Sequence, residues 1–314
     1  MCSVATSMRP ADRRAGDSRD EQPSDLVMRD LIDTLIQENL AAFASRGQPH
    51  PPAALSDVTM QPGEWWCRID LPAGWVCFRA RATGTLQAYR LSRPPVWHAR
   101  SEDAQPRCLE PDELLALLID GCPDAVAKAP HASEVCAALR TAVRHTAVIR
   151  TGRNRLTRAR PRPGELITGE RLAATRNRPF HPTARAAIGW TARELDRYGP
   201  MRQQPLGLDW VAVRRDRLRH GSATASDRLH ELLLSGADQQ HLADAVRHAG
   251  LCLDDVQPLP VHPWQFEHVL PSAYAGELAR AEVVPLSRGL GGFHPTASLR
   301  TLTTAPETDL HIKL

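Results

Sequence analysis

Residues 294–314 read HPTASLRTLTTAPETDLHIKL. In the last run Leu310, Ile312 and Leu314 fall on one side, and Asp309, His311 and Lys313 on the other. Such period-two alternation marks a half-buried strand. A second strand, ASLRTLTT, precedes it across the short connection APET, so the pair predicts an antiparallel hairpin. Ser298 and Arg300 alternate onto one face of the first strand, with Thr301 and Thr303 on the other. Lys313 stands out by type: of 39 Lys plus Arg, Lys128 is the one other lysine. Paired across the hairpin, Lys313 reaches the face of Ser298 and Arg300, where a guanidinium and an ammonium suit a phosphate or a carboxylate. The alternative, two cations on the wet face of an antiparallel sheet, stays open.

Working upstream, EVVPLS predicts a strand and RGLGGF a glycine-rich turn. GLGG alone matches neither GxGxxG nor GxxxxGK[ST], so it identifies no nucleotide fold. PLPVHPWQFEHVL places His262 between prolines, ahead of Trp264 and Gln265. Helices are predicted over 225–234 and 237–248, and a strand at GLDWVAVRR. The segment RNRPFHPTARAAIGW sets His181 in a proline-stiffened loop, with Arg178 and Arg185 close in sequence. One imidazole and two guanidiniums on a rigid loop suit a polycarboxylate, although a lone loop histidine needs no ligand.

Further upstream, RTGRNRLTRARPRPGE is rich in arginine, proline and glycine and predicts a loop, with a domain boundary near it. ASEVCAALRTAVRHTAVI and PDELLALLI have helical spacing. EWWCRIDLPAGWVCFRARATGTLQAYRL predicts a three-stranded antiparallel meander turning at PAG and ATG, with Trp65, Trp66 and Trp75 as packing residues. Val27, Leu31, Leu35, Ile36, Leu40 and Phe43 make one apolar stripe of a helix over 24–43. Residues 1–23 carry too little apolar surface to offset their ordering entropy and are expected to be a disordered tail.

The expected architecture is α+β in three parts. A tail spans 1–23, a helical and antiparallel-β domain 24–150, and a mixed helix and antiparallel-sheet domain 151–314. The formal net charge of +3 is too small to argue for a nucleic-acid partner. Seven cysteines without a CxxC pair argue against zinc ribbons and disulfide frameworks, and a reducing cytoplasm fits them. No run is long and apolar enough to predict a membrane span. No residues are assigned to a metal.

NRPFHPTARAAIGW, LPVHPWQFEHVL, PTASLRTL and DLHIKL together resemble, in order and rough separation, the IucA/IucC family of siderophore synthetases. The resemblance covers about residues 150–314 by motif. It implies an ATP-dependent ligase, acting with Mg2+, that activates citrate or a citrate-like carboxylate as an acyl-adenylate. An amine or alcohol then attacks to give an amide or ester. It implies that Ser298, Arg300, Thr301 and Lys313 contact nucleotide phosphates, that His181 and Arg300 are catalytic, and that His181 and Arg185 face the carboxylate. The family segment reads GHPxHPxxKxRxG, and here Asn177, Arg178, Arg185 and Ala187 replace its glycine, first histidine, lysine and arginine. The resemblance further implies a hand-like fold whose thumb and fingers this chain carries and whose palm it lacks. On that expectation the chain alone does not turn over, and it associates with itself or with a separate palm-bearing chain. The rival expectation is a non-catalytic remnant or subunit that keeps the fold.

Overall fold

Gln22 and Asp25 start the first helix: the Asp25 carboxylate accepts the Gln22 N–H at 2.8 Å, and Pro23 takes the first helical position. This helix, α1 (Pro23–Gln37), is shorter than the stripe predicts. Asn39 and Ala42 adopt left-handed backbone, and the apolar residues that follow form a single 3-10 turn and the short α2 (Phe43–Arg46). A computed structural model describes residues 22–50, 52–84, 89–121, 131–156, 166–178, 180–202, 204–219, 228–304 and 310–314. The expected tail, Lys128 and the APET connection lie largely or wholly outside these residues.

The chain forms two units. The first comprises the described residues up to Arg150 together with Arg176–Ala192, and the second comprises Thr151–Thr175 and Arg193–Leu314. In the first unit β1 (Glu64–Leu71), β2 (Gly74–Ala82), β3 (Tyr89–Ala99) and β4 (Arg107–Cys108) form an antiparallel sheet in sequence order. The meander and its PAG turn are as expected. One sheet face packs Ile69, Phe78 and Leu91 against Val27, Leu31 and Ile32 of α1. The other collects Trp66, Trp75 and Trp97 over Leu55. Two further helices follow, α3 (Pro111–Gly121) and α4 (Ala132–Leu156). The α4 helix runs on through RTGRNRL, where a loop is expected: these seven residues are free of proline and continue the helix to Leu156.

The second unit holds α5 (Leu166–Arg176), α6 (Ala192–Tyr198), β5 (Leu206–Arg214), α7 (Leu229–Leu233), α8 (Gly236–His248), β6 (Val256–Val261), α9 (Pro263–His268), α10 (Leu270–Ala273), α11 (Ala275–Ala279), β7 (Val283–Pro295), β8 (Thr301–Thr303) and β9 (His311–Lys313). Its sheet is antiparallel in the order β6-β5-β7-β8-β9. Trp210 and Leu208, at the centre of β5, are fully buried.

The expected turn at RGLGGF is instead the middle of one long strand. β7 passes straight through it by bulging: Leu206 pairs with Phe293 and Leu208 with Leu290, so the β7 side carries an extra residue. Gly289 and Gly291 take positive φ there. The Gly289 amide is accepted by Asp209 at 3.0 Å and the Gly291 amide by Asp238 at 3.3 Å. Gly207 lies against this bulge, and a Cβ on it would overlap the Gly289 backbone carbonyl. Gly207→Ala is therefore expected to cost about 1–3 kcal/mol, read as a lowered urea midpoint. Gly292→Ala, whose Cβ would meet only Pro205 at 3.6 Å, serves as the near-neutral comparison. Equal effects of the two substitutions would refute the clash.

Candidate functional site

The residues singled out in the sequence fall into two groups. His181 and Arg185 belong to the first unit; Ser298, Arg300, Thr301 and Lys313 belong to the second.

The first group sits on the loop 177–190. Asn177 and Phe180 adopt left-handed backbone without being glycine, a conformation that surrounding contacts must enforce. Those contacts are present. The Asn177 side-chain amide donates to the Ala184 carbonyl at 3.0 Å. Thr34 Oγ1 lies 2.7 Å from the carbonyls of both Phe180 and Asp30. The Arg90 guanidinium stands 4.5 Å above the Phe180 ring. His181 itself is exposed, with Nδ1 3.4 Å from the Thr183 hydroxyl.

Arg185 is placed otherwise than the resemblance implies. Its side chain is fully buried. Nε donates to the Thr146 hydroxyl at 2.9 Å, Nη1 to the Arg176 carbonyl at 2.8 Å, and Nη2 to Asp30 Oδ2 at 3.0 Å. Asp30 also ion-pairs with Arg176 at 3.0 Å. A guanidinium so enclosed ties the loop to α1 and α4, and it is not presented to a carboxylate substrate. At the neighbouring Asp33, burial pushes the carboxyl up to about 6, against the Leu91 amide and nearby Arg90 and Arg29, which pull it down.

In the second group, the strand expected at ASLRTLTT begins only at Thr301. Ser298, Leu299 and Arg300 form the turn joining β7 to β8, so strand alternation does not place Ser298 and Arg300 on one sheet face. Thr296 closes the turn. Its N–H donates to the Thr301 carbonyl at 3.0 Å, and its hydroxyl accepts the Ser298 amide at 3.2 Å. Glu170 of α5 accepts the Ala297 amide at 2.8 Å. Beyond the turn, Thr301 pairs directly with Lys313, and the Leu314 amide donates to the Arg300 carbonyl at 2.9 Å. Directly paired residues share a face. Lys313 thus shares the face of Thr301, beside the backbone of Arg300, and both cations are exposed. A hydroxyl, an ammonium and a guanidinium on adjacent backbone form a donor set for an anion. Among the described residues no group of three or more His, Cys, Asp or Glu is arranged to hold a metal ion.

The HPWQ segment has a local structural role. His262 Nδ1 caps α9 by accepting the Trp264 amide at 3.1 Å, and Pro263 takes the first turn. Trp264 Nε1 donates to Glu194 at 2.8 Å, and the Tyr198 ring meets His262 edge-on at 5.1 Å. Burial pushes the His262 imidazole down to about 4, so it is neutral near pH 7.

Sequence reasoning missed Asp30, His145, Thr146 and Glu170. Asp30 had a signal, a carboxylate inside the apolar stripe of α1 between Val27 and Leu31. The others read as ordinary helix positions.

Among the described residues no helix is long and apolar enough to cross a membrane. Residues 166–314 match the IucA / IucC family. Staphyloferrin B synthase of Staphylococcus aureus is 30% identical over 148 residues, 47% of this chain and 25% of that protein. The crystal structure of the petrobactin biosynthesis protein AsbB from Bacillus anthracis superposes with a TM-score of 0.65 at 16% identity, covering 90% of this chain and 44% of that one. ATP-bound aerobactin synthetase IucA from Klebsiella pneumoniae gives a TM-score of 0.61 at 20% identity, covering 88% and 46%. The chain spans less than half the length of each of these proteins.

Proposed function

From residues 166–314, which are IucA/IucC-family sequence, we propose that this chain carries nucleotide- and carboxylate-facing segments of an ATP-dependent siderophore synthetase. In this reading a citrate-like carboxylate oxygen attacks the α-phosphorus of ATP. The acyl-adenylate forms and pyrophosphate leaves; an amine or alcohol then attacks the acyl carbon and AMP departs.

The observation that carries the reading is the pairing of Thr301 with Lys313 beside Arg300, which joins two neighbouring motifs in one hairpin. Arg300 and Lys313 neutralise phosphate charge, and the Thr301 and Ser298 hydroxyls donate to phosphate oxygens. The held turn pre-sets these donors, so little ordering is needed when the anion arrives. His181 is assigned to the carboxylate. Arg185 is assigned to holding its loop, in place of the substrate contact implied for it. Mg2+ would screen the phosphates, with ligands outside the donor set described above.

The test is ATP–pyrophosphate exchange with a panel of di- and tricarboxylic acids. It is run on this chain alone and with the remaining family length supplied by a second chain. Exchange that depends on a citrate-like acid is the expected result. ATP binding with no exchange for any acid, in either setting, would favour the reading of a non-catalytic subunit that keeps the fold.

A further inference from the structure

Within the loop 177–190, Ala187, Ile188, Gly189 and Trp190 form a tight turn. The Trp190 amide donates to the Ala187 carbonyl at 3.1 Å, and Gly189 takes a φ of +86°. Ile188, at its tip, is 67% exposed. Large apolar side chains held outward need a backbone that cannot fold them in. The two ends of this turn meet one buried side chain. His145 of α4, 1% exposed, accepts the Ala187 amide on Nδ1 at 3.2 Å and lies with Nε2 3.1 Å from the Trp190 carbonyl. The next residue, Thr146, receives Arg185 from the same loop. Successive residues of α4 therefore grip the loop at three points.

We propose that His145 is a positioning residue that staples both ends of the Ala187–Trp190 turn and so fixes the loop carrying His181. Two hydrogen bonds to backbone of one turn leave it little freedom to shift along α4. Burial keeps this imidazole below its ordinary range and Arg144 adds to that, while the Trp190 carbonyl and the nearby Arg185 backbone pull the other way. The neutral ring, with one donor and one acceptor nitrogen, matches the amide and carbonyl it meets. The consequence for substrate use rests on the carboxylate role proposed for His181.

The test compares His145→Ala, His145→Gln and Thr146→Val by residue-resolved amide hydrogen exchange. Glutamine can still accept and donate, whereas alanine can do neither. In His145→Ala the Ala187 amide is expected to exchange about tenfold faster, with α4 and the β1–β3 sheet unchanged. His145→Gln should recover most of that protection. Thr146→Val, which removes the Arg185 contact together with the hydroxyl's bond to the Ala142 carbonyl one turn back in α4, should loosen the Ala184–Ala186 amides and spare Ala187. Unchanged exchange at Ala187 in both His145 variants overturns the staple. In the exchange assay of the previous subsection, His145→Ala should raise the apparent KM for the acid about tenfold and leave that for ATP unchanged. Faster amide exchange with an unaltered acid KM would overturn the positioning role. If the unsubstituted protein shows no acid-dependent activity, the functional reading fails, and the amide measurement still decides the staple.

Discussion

Asp30→Ala is expected to destabilise the first unit by about 3–5 kcal/mol, because it leaves the Arg185 guanidinium charged and uncompensated in a fully buried site. For a unit of this size that corresponds to a fall in melting temperature of about 6–20 °C. Arg176 is partly exposed and can turn to solvent, so it adds less to the loss. The same logic makes the double substitution informative. Asp30→Ala combined with Arg185→Met removes both charges, and the pair should be much less damaging than the sum of the single changes. Urea unfolding followed by near-ultraviolet signals of the β1–β3 tryptophans reads this directly. A loss under about 1 kcal/mol for Asp30→Ala would mean that the loop is held by other contacts.

Lys313→Ala should leave the fold intact, since the side chain is exposed, and should weaken ATP binding by about one to two orders of magnitude. One charge-assisted contact with phosphate is worth about 1.5–3 kcal/mol. Arg300→Ala should do the same, and Thr301→Val less, because a neutral hydroxyl makes a weaker bond than an ammonium. Lys313→Arg should restore only part of the affinity, since a planar fork does not reproduce a compact charge. Weakened binding should also fade with added salt, as expected for exposed charges. Titration calorimetry with ATP measures each case. Wild-type affinity in the Lys313→Ala protein would remove Lys313 from the nucleotide site.

Elements whose pattern is local were legible. The β1–β2 hairpin announced itself through alternation on both sides of Pro72–Ala73–Gly74, and Trp66 and Trp75 through the same period. The hairpin of β8 and β9 followed from two short alternating runs, but its register did not: the alternation put Lys313 on the face of Ser298 and Arg300, whereas it pairs with Thr301. What was not legible depends on distant partners. RGLGGF looks like a turn because glycine runs usually are; it stays in a strand because Asp209 and Asp238 accept the amides its bulge frees. Arg185 looks like a ligand for an anion. Its anion is Asp30, on a helix at the other end of the sequence. His145 falls on a helix whose spacing says only that one face is buried, and the loop it meets is not predictable from that spacing.

The first unit is assembled from two separate stretches of chain, and this has a bearing on how it is made. On the ribosome, residues up to Arg150 emerge first and contain α1, the β1–β4 sheet and most of α4. Asp30, His145 and Thr146 then face positions that are still unsynthesised, since their partners lie in Arg176–Ala192. At roughly 5–20 residues per second the delay lasts seconds, long compared with collapse of the nascent core. During that interval the Asp30 carboxylate and the gripping side of α4 are open to water or to a chaperone. The native seal forms only after α5, a piece of the second unit, has left the exit tunnel. A protease or an early stop acting near Arg150 would therefore release a polypeptide with a complete sheet and an unclosed seam.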